Sequence, residues 1–149
     1  MKIYHFNKNI KRDCLVYPVF AENSSKNYQF YRLKGAFPQF HLKNSKGEVF
    51  CSIVPGVIRK NSIMIYFSRF AIEVRRKLEE YSVVYHRKHR DIFIEGGTRS
   101  TCLLLLEEGR VLCQRDAKLM EEKEEWVFYE ENIEEMMAVL FSLSYLTKE

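Results

Sequence analysis

Apolar and polar residues alternate along most of this chain, in short runs that end at glycine, proline or asparagine. Alternation with a period of two marks a strand with one face buried. The runs 29–34, 37–43, 48–54 and 62–67 have this character. The stretch Asn44-Ser45-Lys46-Gly47 reads as a hairpin connection, and Pro55-Gly56 closes the third run. The period then changes. Ser68 offers an N-cap, and Phe70, Ala71, Val74, Leu78 and Tyr81 recur at helical spacing, which predicts a helix from 68 to about 85. Strand-like runs return at 91–95, 101–106, 110–115 and 125–129, with turns at Gly96-Gly97 and Glu108-Gly109. A second helix is predicted from Glu131 or Asn132 to about 147. Its early glutamates suit the positive end of the helix dipole, and Ile133, Met136, Met137, Leu140 and Phe141 give it a wide apolar face.

The two series superpose at an offset of 62 residues without a gap: Gly35 on Gly97, Leu42 on Leu104, Gly47 on Gly109, Cys51 on Cys113, Glu73 on Glu135. A repeated supersecondary unit governs a fold, and two copies are too few for a solenoid. The expectation is therefore an α+β protein of two tandem ββββα repeats, 28–86 and 90–147, forming one pseudo-two-fold module. Residues 28–149 make a single domain under this reading. Residues 1–27 are an added arm, with a possible strand at 14–20 and a polar tether at 22–27.

A chain of 149 residues, 46% hydrophobic and 30% charged, has the size and composition of one soluble globular domain. No apolar run approaches the roughly 20 residues of a membrane span. The start, MKIYHFNKNIKRD, has neither the apolar stretch nor the cleavage site of a signal peptide. The cysteines Cys14, Cys51, Cys102 and Cys113 form no C-x-x-C, so reduced thiols and a cytoplasmic or nucleoid-associated location are expected. Charge is divided unevenly along the chain. Residues 1–90 hold 18 Lys+Arg against 6 Asp+Glu, a net +12, and residues 91–149 hold 6 against 14, a net −8. Such a split points to a polyanion-binding side and a separate solvating or partner-facing side.

The stretch Trp126-Val127-Phe128-Tyr129-Glu130-Glu131-Asn132-Ile133-Glu134-Glu135-Met136 is similar to the I-F-V-Y-E-E-N-I-N-E-F that opens the fourth strand and helix of bacterial PUR-domain proteins. Together with the doubled sheet-plus-helix pattern, it resembles the PUR-repeat proteins and the wider Whirly-like group. The resemblance implies a non-catalytic protein that binds single-stranded DNA or RNA across a sheet and regulates transcription or RNA. The first strand keeps that family's aromatic residues but lacks its acidic one.

Strand alternation supplies a site independently. If Leu33 and Leu42 mark the core side, then Tyr28, Phe30, Arg32, Lys34, Phe37, His41 and Lys43 share the opposite face. Flat rings stack bases, and Lys or Arg neutralise phosphates. Arg59, Lys60, Arg87 and Lys88 extend the basic character, the last two within His86-Arg87-Lys88-His89-Arg90. The matching face of the second copy carries Ile92, Ile94, Leu103 and Leu105, an apolar surface that predicts a homodimer interface. No P-loop, G-x-S-x-G, H-E-x-x-H or dinucleotide fingerprint occurs, so no catalysis, cofactor or metal site is expected. Two alternatives stand beside nucleic-acid binding. One is a small protein-binding regulator or inhibitor acting through the apolar second sheet. The other is a metal-independent RNase using His41, His86 or His89, which requires two such groups to converge.

Overall fold

The computed structural model describes residues 1–7, 15–56, 60–117 and 123–147. Among these residues twelve strands and one helix follow in order: β1 Lys2–Asn7, β2 Val16–Ala21, β3 Tyr28–Arg32, β4 Phe40–Asn44, β5 Val49–Pro55, β6 Ser62–Tyr66, β7 Ala71–Lys77, β8 Glu80–His86, β9 Phe93–Glu95, β10 Cys102–Glu107, β11 Arg110–Ala117, β12 Lys123–Phe128 and α1 Ile133–Thr147. They form a single 12-stranded antiparallel sheet of order β8-β7-β6-β5-β4-β3-β2-β1-β12-β11-β10-β9. Every strand pairs with its sequence neighbour except β8 with β9, and β1 pairs with β12 through Lys2↔Phe128 to Asn7↔Lys123. The sheet thus curls into a nearly closed barrel whose two edges, β8 and β9, meet at a seam.

The helix fills this barrel. Twelve strands at about 4.8 Å spacing and the usual tilt enclose a ring roughly 24 Å across, wider than inward side chains alone can fill. A helix with its side chains is about 10–12 Å thick, which fits the remaining space. The sequence of α1 meets that requirement, because every residue from Glu135 to Ser144 is buried, as are Ile133 and Leu146. A helix apolar all round belongs inside a protein. It packs against β5, β6 and β7 on one side and β11 on the other. Phe141 stands at the centre, stacked on Phe30 with ring centroids 4.0 Å apart and edge-on to Phe40 at 5.1 Å and Phe6 at 6.0 Å. The buried Ser142 hydroxyl donates back to the Ala138 carbonyl, and Thr147 donates to the Leu143 carbonyl and also meets the Tyr81 hydroxyl of β8.

The tandem ββββα expectation is overturned. The residues assigned to a first helix form the β7–β8 hairpin instead, and residues 1–27 supply two integral strands rather than an arm. The β-branched and aromatic content of 71–86 favours strands, with Ile72 and Val74 inside and Glu73 and Arg75 outside. The turn at Leu78-Glu79 contains neither glycine nor proline, although Leu78 takes the left-handed φ of 58° usual for such residues, so the break was hidden. The 62-residue offset keeps some turns but not the faces. Gly47 and Gly109 both have positive φ, and Cys51 and Cys113 both point inward. Leu42, however, is inside while Leu104 lies on the outer face with Gln114 and Glu95. Glu73 is on a strand and Glu135 on the helix. The second helix and the strands β2 to β6 and β9 to β12 lie on the runs expected of them, whereas the alternation predicts no strand at β1.

Two contacts close the seam. At one end, the Thr98 amide donates to the Glu79 carbonyl at 3.1 Å, and a Cβ on neighbouring Gly97 would lie 2.6 Å from that oxygen. At the other end, Arg90 gathers Glu107 from β10, Glu130 and the helical Glu135 at 2.8, 3.4 and 2.6 Å. Lys88 and the Tyr85 hydroxyl also bond Glu135. These carboxylates hold the Arg90 guanidinium above its ordinary pKa, and Glu107 first among them is itself held low by Arg90. Among the described residues, no helix is long and apolar enough to cross a membrane.

Candidate nucleic-acid interface

Directly paired residues of antiparallel strands point to the same side of a sheet. The pairings Tyr31↔His41, His41↔Ser52, Ser52↔Tyr66, Tyr66↔Ala71 and Ala71↔His86 therefore trace one row around the outside of β3 to β8. Two tyrosines and two histidines stand on it. The Lys43 ammonium lies 4.7 Å from the Tyr31 ring centroid, a cation–π contact. Burial, then the charge of Lys43, lowers the His41 pKa, so this imidazole is neutral at pH 7. Tyr66 is 49% exposed. Beside the row, Glu73 accepts from Arg75 Nε and Nη2 at 2.6 and 2.8 Å, with His86 Nε2 at 3.4 Å. Arg75 above all pulls the Glu73 carboxyl below the usual range, and the pair largely cancels its own charge. Exposed Arg69 and Arg87, by contrast, have no carboxylate partner among the described residues.

The residues predicted from the sequence are dispersed by this geometry. Phe30 is fully buried, because it faces Leu42 across the β3–β4 ladder and both point to the helix. Tyr28 and Arg32 share its inward side, and the Tyr28 hydroxyl donates to Glu134 at 2.9 Å, which together with burial raises its pKa. Lys34 and Phe37 sit exposed on the β3–β4 connection, and Lys60 is exposed ahead of β6. Arg59 lies outside the described residues. Arg87 is exposed, while Lys88 is committed to Glu135 and to the Phe70 ring. Only His41 and Lys43 remain on one outward face. Tyr31 pairs with His41 under Lys43, and Tyr66 stands two strands further along the same row; neither is among the residues the alternation selects. The difference is one of register: Leu33 does not mark the core side, because β3 ends at Arg32 and Leu33 begins the connection.

The apolar set assigned to a dimer is also interior. Leu103 and Leu105 are fully buried, Ile92 is 6% exposed, and Ile94 packs on the same core. The chain's own helix covers this face, which removes the reason for placing a second copy there. The histidines of the RNase reading do not converge either. His41 and His86 are four strands apart, about 19 Å at the usual spacing, and His89 is 92% exposed beside Asp91. Elsewhere on the barrel, His5, Glu22 and Glu125 bring metal-capable atoms together, which the sequence did not suggest. Comparison with family models, curated proteins and solved structures returned no match.

Proposed function

We propose that the protein binds single-stranded nucleic acid on the outer wall formed by β3 to β8. The observation that carries this reading is the continuous outward row Tyr31–His41–Ser52–Tyr66, with Lys43 over the Tyr31 ring. Because the strands follow one another in order around the barrel, Lys43, Lys46, Lys60, Arg69, Lys77 and Arg87 belong to one wall of the molecule. Bases would stack on Tyr31 and Tyr66, which lie three strands or about 14 Å apart, a span of a few nucleotides. Lys43, Arg69 and Arg87 would meet the phosphates. The binding is non-catalytic.

The test is titration of labelled single-stranded DNA, single-stranded RNA and duplex at two salt concentrations, with the same mixtures followed for cleavage. Single strands should bind preferentially, with affinity that falls steeply as salt rises. Tyr66→Ala should cost about 1–3 kcal/mol of binding and leave the salt slope intact, whereas Lys43→Ala should flatten the slope by about 0.7 per lost phosphate contact. Absence of binding by the wild type to any single strand would overturn the proposal, and shortening of the RNA would replace it with the RNase reading.

A second reading, a protein-binding regulator, has a surface of its own on the other side. The outward row Phe93–Leu106–Val111 lies beside Tyr129, with Phe93 68% exposed. A pocket of about 400 Å³ opens there between Val111, Gln114 and Tyr129.

A further inference from the structure

We infer that the protein binds one divalent transition metal of the zinc class through His5, Glu22 and Glu125, where the two ends of the chain meet in the sheet. The ligands come from three separate segments. His5 is on β1, Glu125 stands directly opposite it on β12, and Glu22 follows the end of β2. The backbone places all three outside the barrel, because His5 pairs with both Glu125 and Phe20 and Glu22 is two residues beyond Phe20. The Glu22 amide also donates to the Ile3 carbonyl at 3.0 Å, which carries the β1–β2 ladder one residue further and fixes Glu22 beside the histidine.

The side chains already converge. His5 Nε2 lies 3.2 Å from Glu22 Oε2, and one donor atom from each of the three residues lies within 4.8 Å of the others. Zinc bonds at about 2.0–2.2 Å require ligand atoms roughly 3.3 Å apart, so a small side-chain rotation completes the set. The donor chemistry is selective. Magnesium and calcium favour oxygen alone, whereas one imidazole nitrogen with two carboxylates suits zinc and its neighbours.

Two further observations favour an ion here. Asp116 faces Glu125 from β11, so a third carboxylate stands in the adjoining position, and no Lys or Arg pairs with Glu22, Glu125 or Asp116 among the described residues. Like charges directly opposite each other destabilise a sheet, and a divalent cation reverses that sign. Beside the cluster a pocket of about 540 Å³ is lined by His5, Asp116 and Glu125, which leaves room for water in the remaining coordination positions. Three protein ligands with an open position is the pattern of a site able to exchange what it binds.

The consequence follows from topology. The β1–β12 ladder joins residues 2–7 to 123–128, the most distant pairing in the sheet, and closing so long a loop carries the largest chain entropy cost. A metal held by β1, β12 and the end of β2 binds the folded chain alone, and so stabilises it by an amount that grows with the logarithm of free metal above the dissociation constant.

The experiment uses the full chain freed of metal by chelation and then titrated with zinc chloride, followed by calorimetry and by the His5 imidazole resonances. Wild type should take up one zinc per chain with a shift of those resonances, and its melting temperature should rise with zinc concentration. His5→Ala and Glu125→Gln, both at the surface, should melt like the metal-free wild type. Each should weaken zinc by more than the roughly 10–100-fold that loss of an outer-shell partner costs. Glu108→Gln, at the β10–β11 turn, should bind as wild type does. Three outcomes would overturn the proposal. They are no heat and no resonance shift up to about 0.1 mM zinc, undiminished binding by His5→Ala, or tighter binding of magnesium than of zinc.

Discussion

The wall of β2 to β8 and the wall of β9 to β12 press the same kind of side chain onto the same helix, yet they face solvent with opposite charge. Inside, Phe30, Phe40, Ile53 and Ile65 on one wall answer Leu103, Leu105, Trp126 and Phe128 on the other. Outside, the first wall carries Lys43, Arg69, Lys77 and Arg87, and the second carries Glu95, Glu108, Asp116 and Glu125. A barrel core asks only for apolar volume, so nothing in the fold requires this segregation. The acidic wall also carries a charge pair on its inner face. Arg115 and Glu124 point inward 3.9 Å apart, and Ser144 of the helix donates to Glu124 at 2.8 Å. The lesson is that the interior specifies the barrel and leaves the exterior of each wall free to vary separately.

The most severe way to break the comparison is to remove what both walls share. Phe141→Ala empties the centre of the ring of aromatics and should cost about 3–5 kcal/mol of stability, measured by urea unfolding. Next is the join between the walls. Arg90→Met leaves Glu135 buried with Lys88 as its remaining cation, so the loss should fall at the low end of roughly 3–5 kcal/mol. The same unfolding experiment measures it, and Glu107→Gln should cost less because Glu107 is nearer to solvent. A third test sharpens the difference outside. Lys43→Glu with Arg69→Glu on the basic wall should abolish most single-strand binding, while Arg110→Glu on the acidic wall should leave it nearly unchanged. Tyr31→Ala in the same assay should cost about 1–3 kcal/mol.

The smallest effect is a pH dependence with one carboxylate on each wall. Glu73 and Glu107 are held below the ordinary value of 4.5 by Arg75 and Arg90, respectively. The unfolded chain then binds more protons as pH falls, so their contribution is complete above about pH 4.5 and is lost as pH drops through the lower folded values. Arg75 is 47% exposed and Arg90 only 13%, so salt screens the first pair more. Glu107→Gln should therefore flatten the acid limb of the stability profile more than Glu73→Gln. Chemical denaturation between about pH 3 and 6 at two ionic strengths would show it.

Strand content was legible because alternation is a local property. The runs around 40–44, 49–55, 62–66, 102–107 and 110–117 announce themselves by Leu42, Ile53, Ile65, Leu105 and Cys113 at every second place. The turns at Asn44–Gly47 and Glu108-Gly109 were equally plain, since a left-handed φ selects its residues. The last helix was visible too, from its apolar run and acidic start. The hairpin at 71–86 was not, because Phe70, Val74, Leu78 and Tyr81 satisfy a helical spacing as well as a strand one, and no glycine marks the break.

What the sequence by itself determined is this inventory of short strands, the apolar final helix and the division of charge along the chain. Tertiary structure alone decided which face of each strand is inside. Register depends on a partner, and a shift of one residue exchanges the two faces, as Phe30 and Tyr31 demonstrate. It alone decided that the final helix enters the barrel rather than lying on it, since that follows from the width of twelve strands closed together. It also placed His5 beside Glu125, at opposite ends of the chain, because only the closing ladder between β1 and β12 brings them within reach.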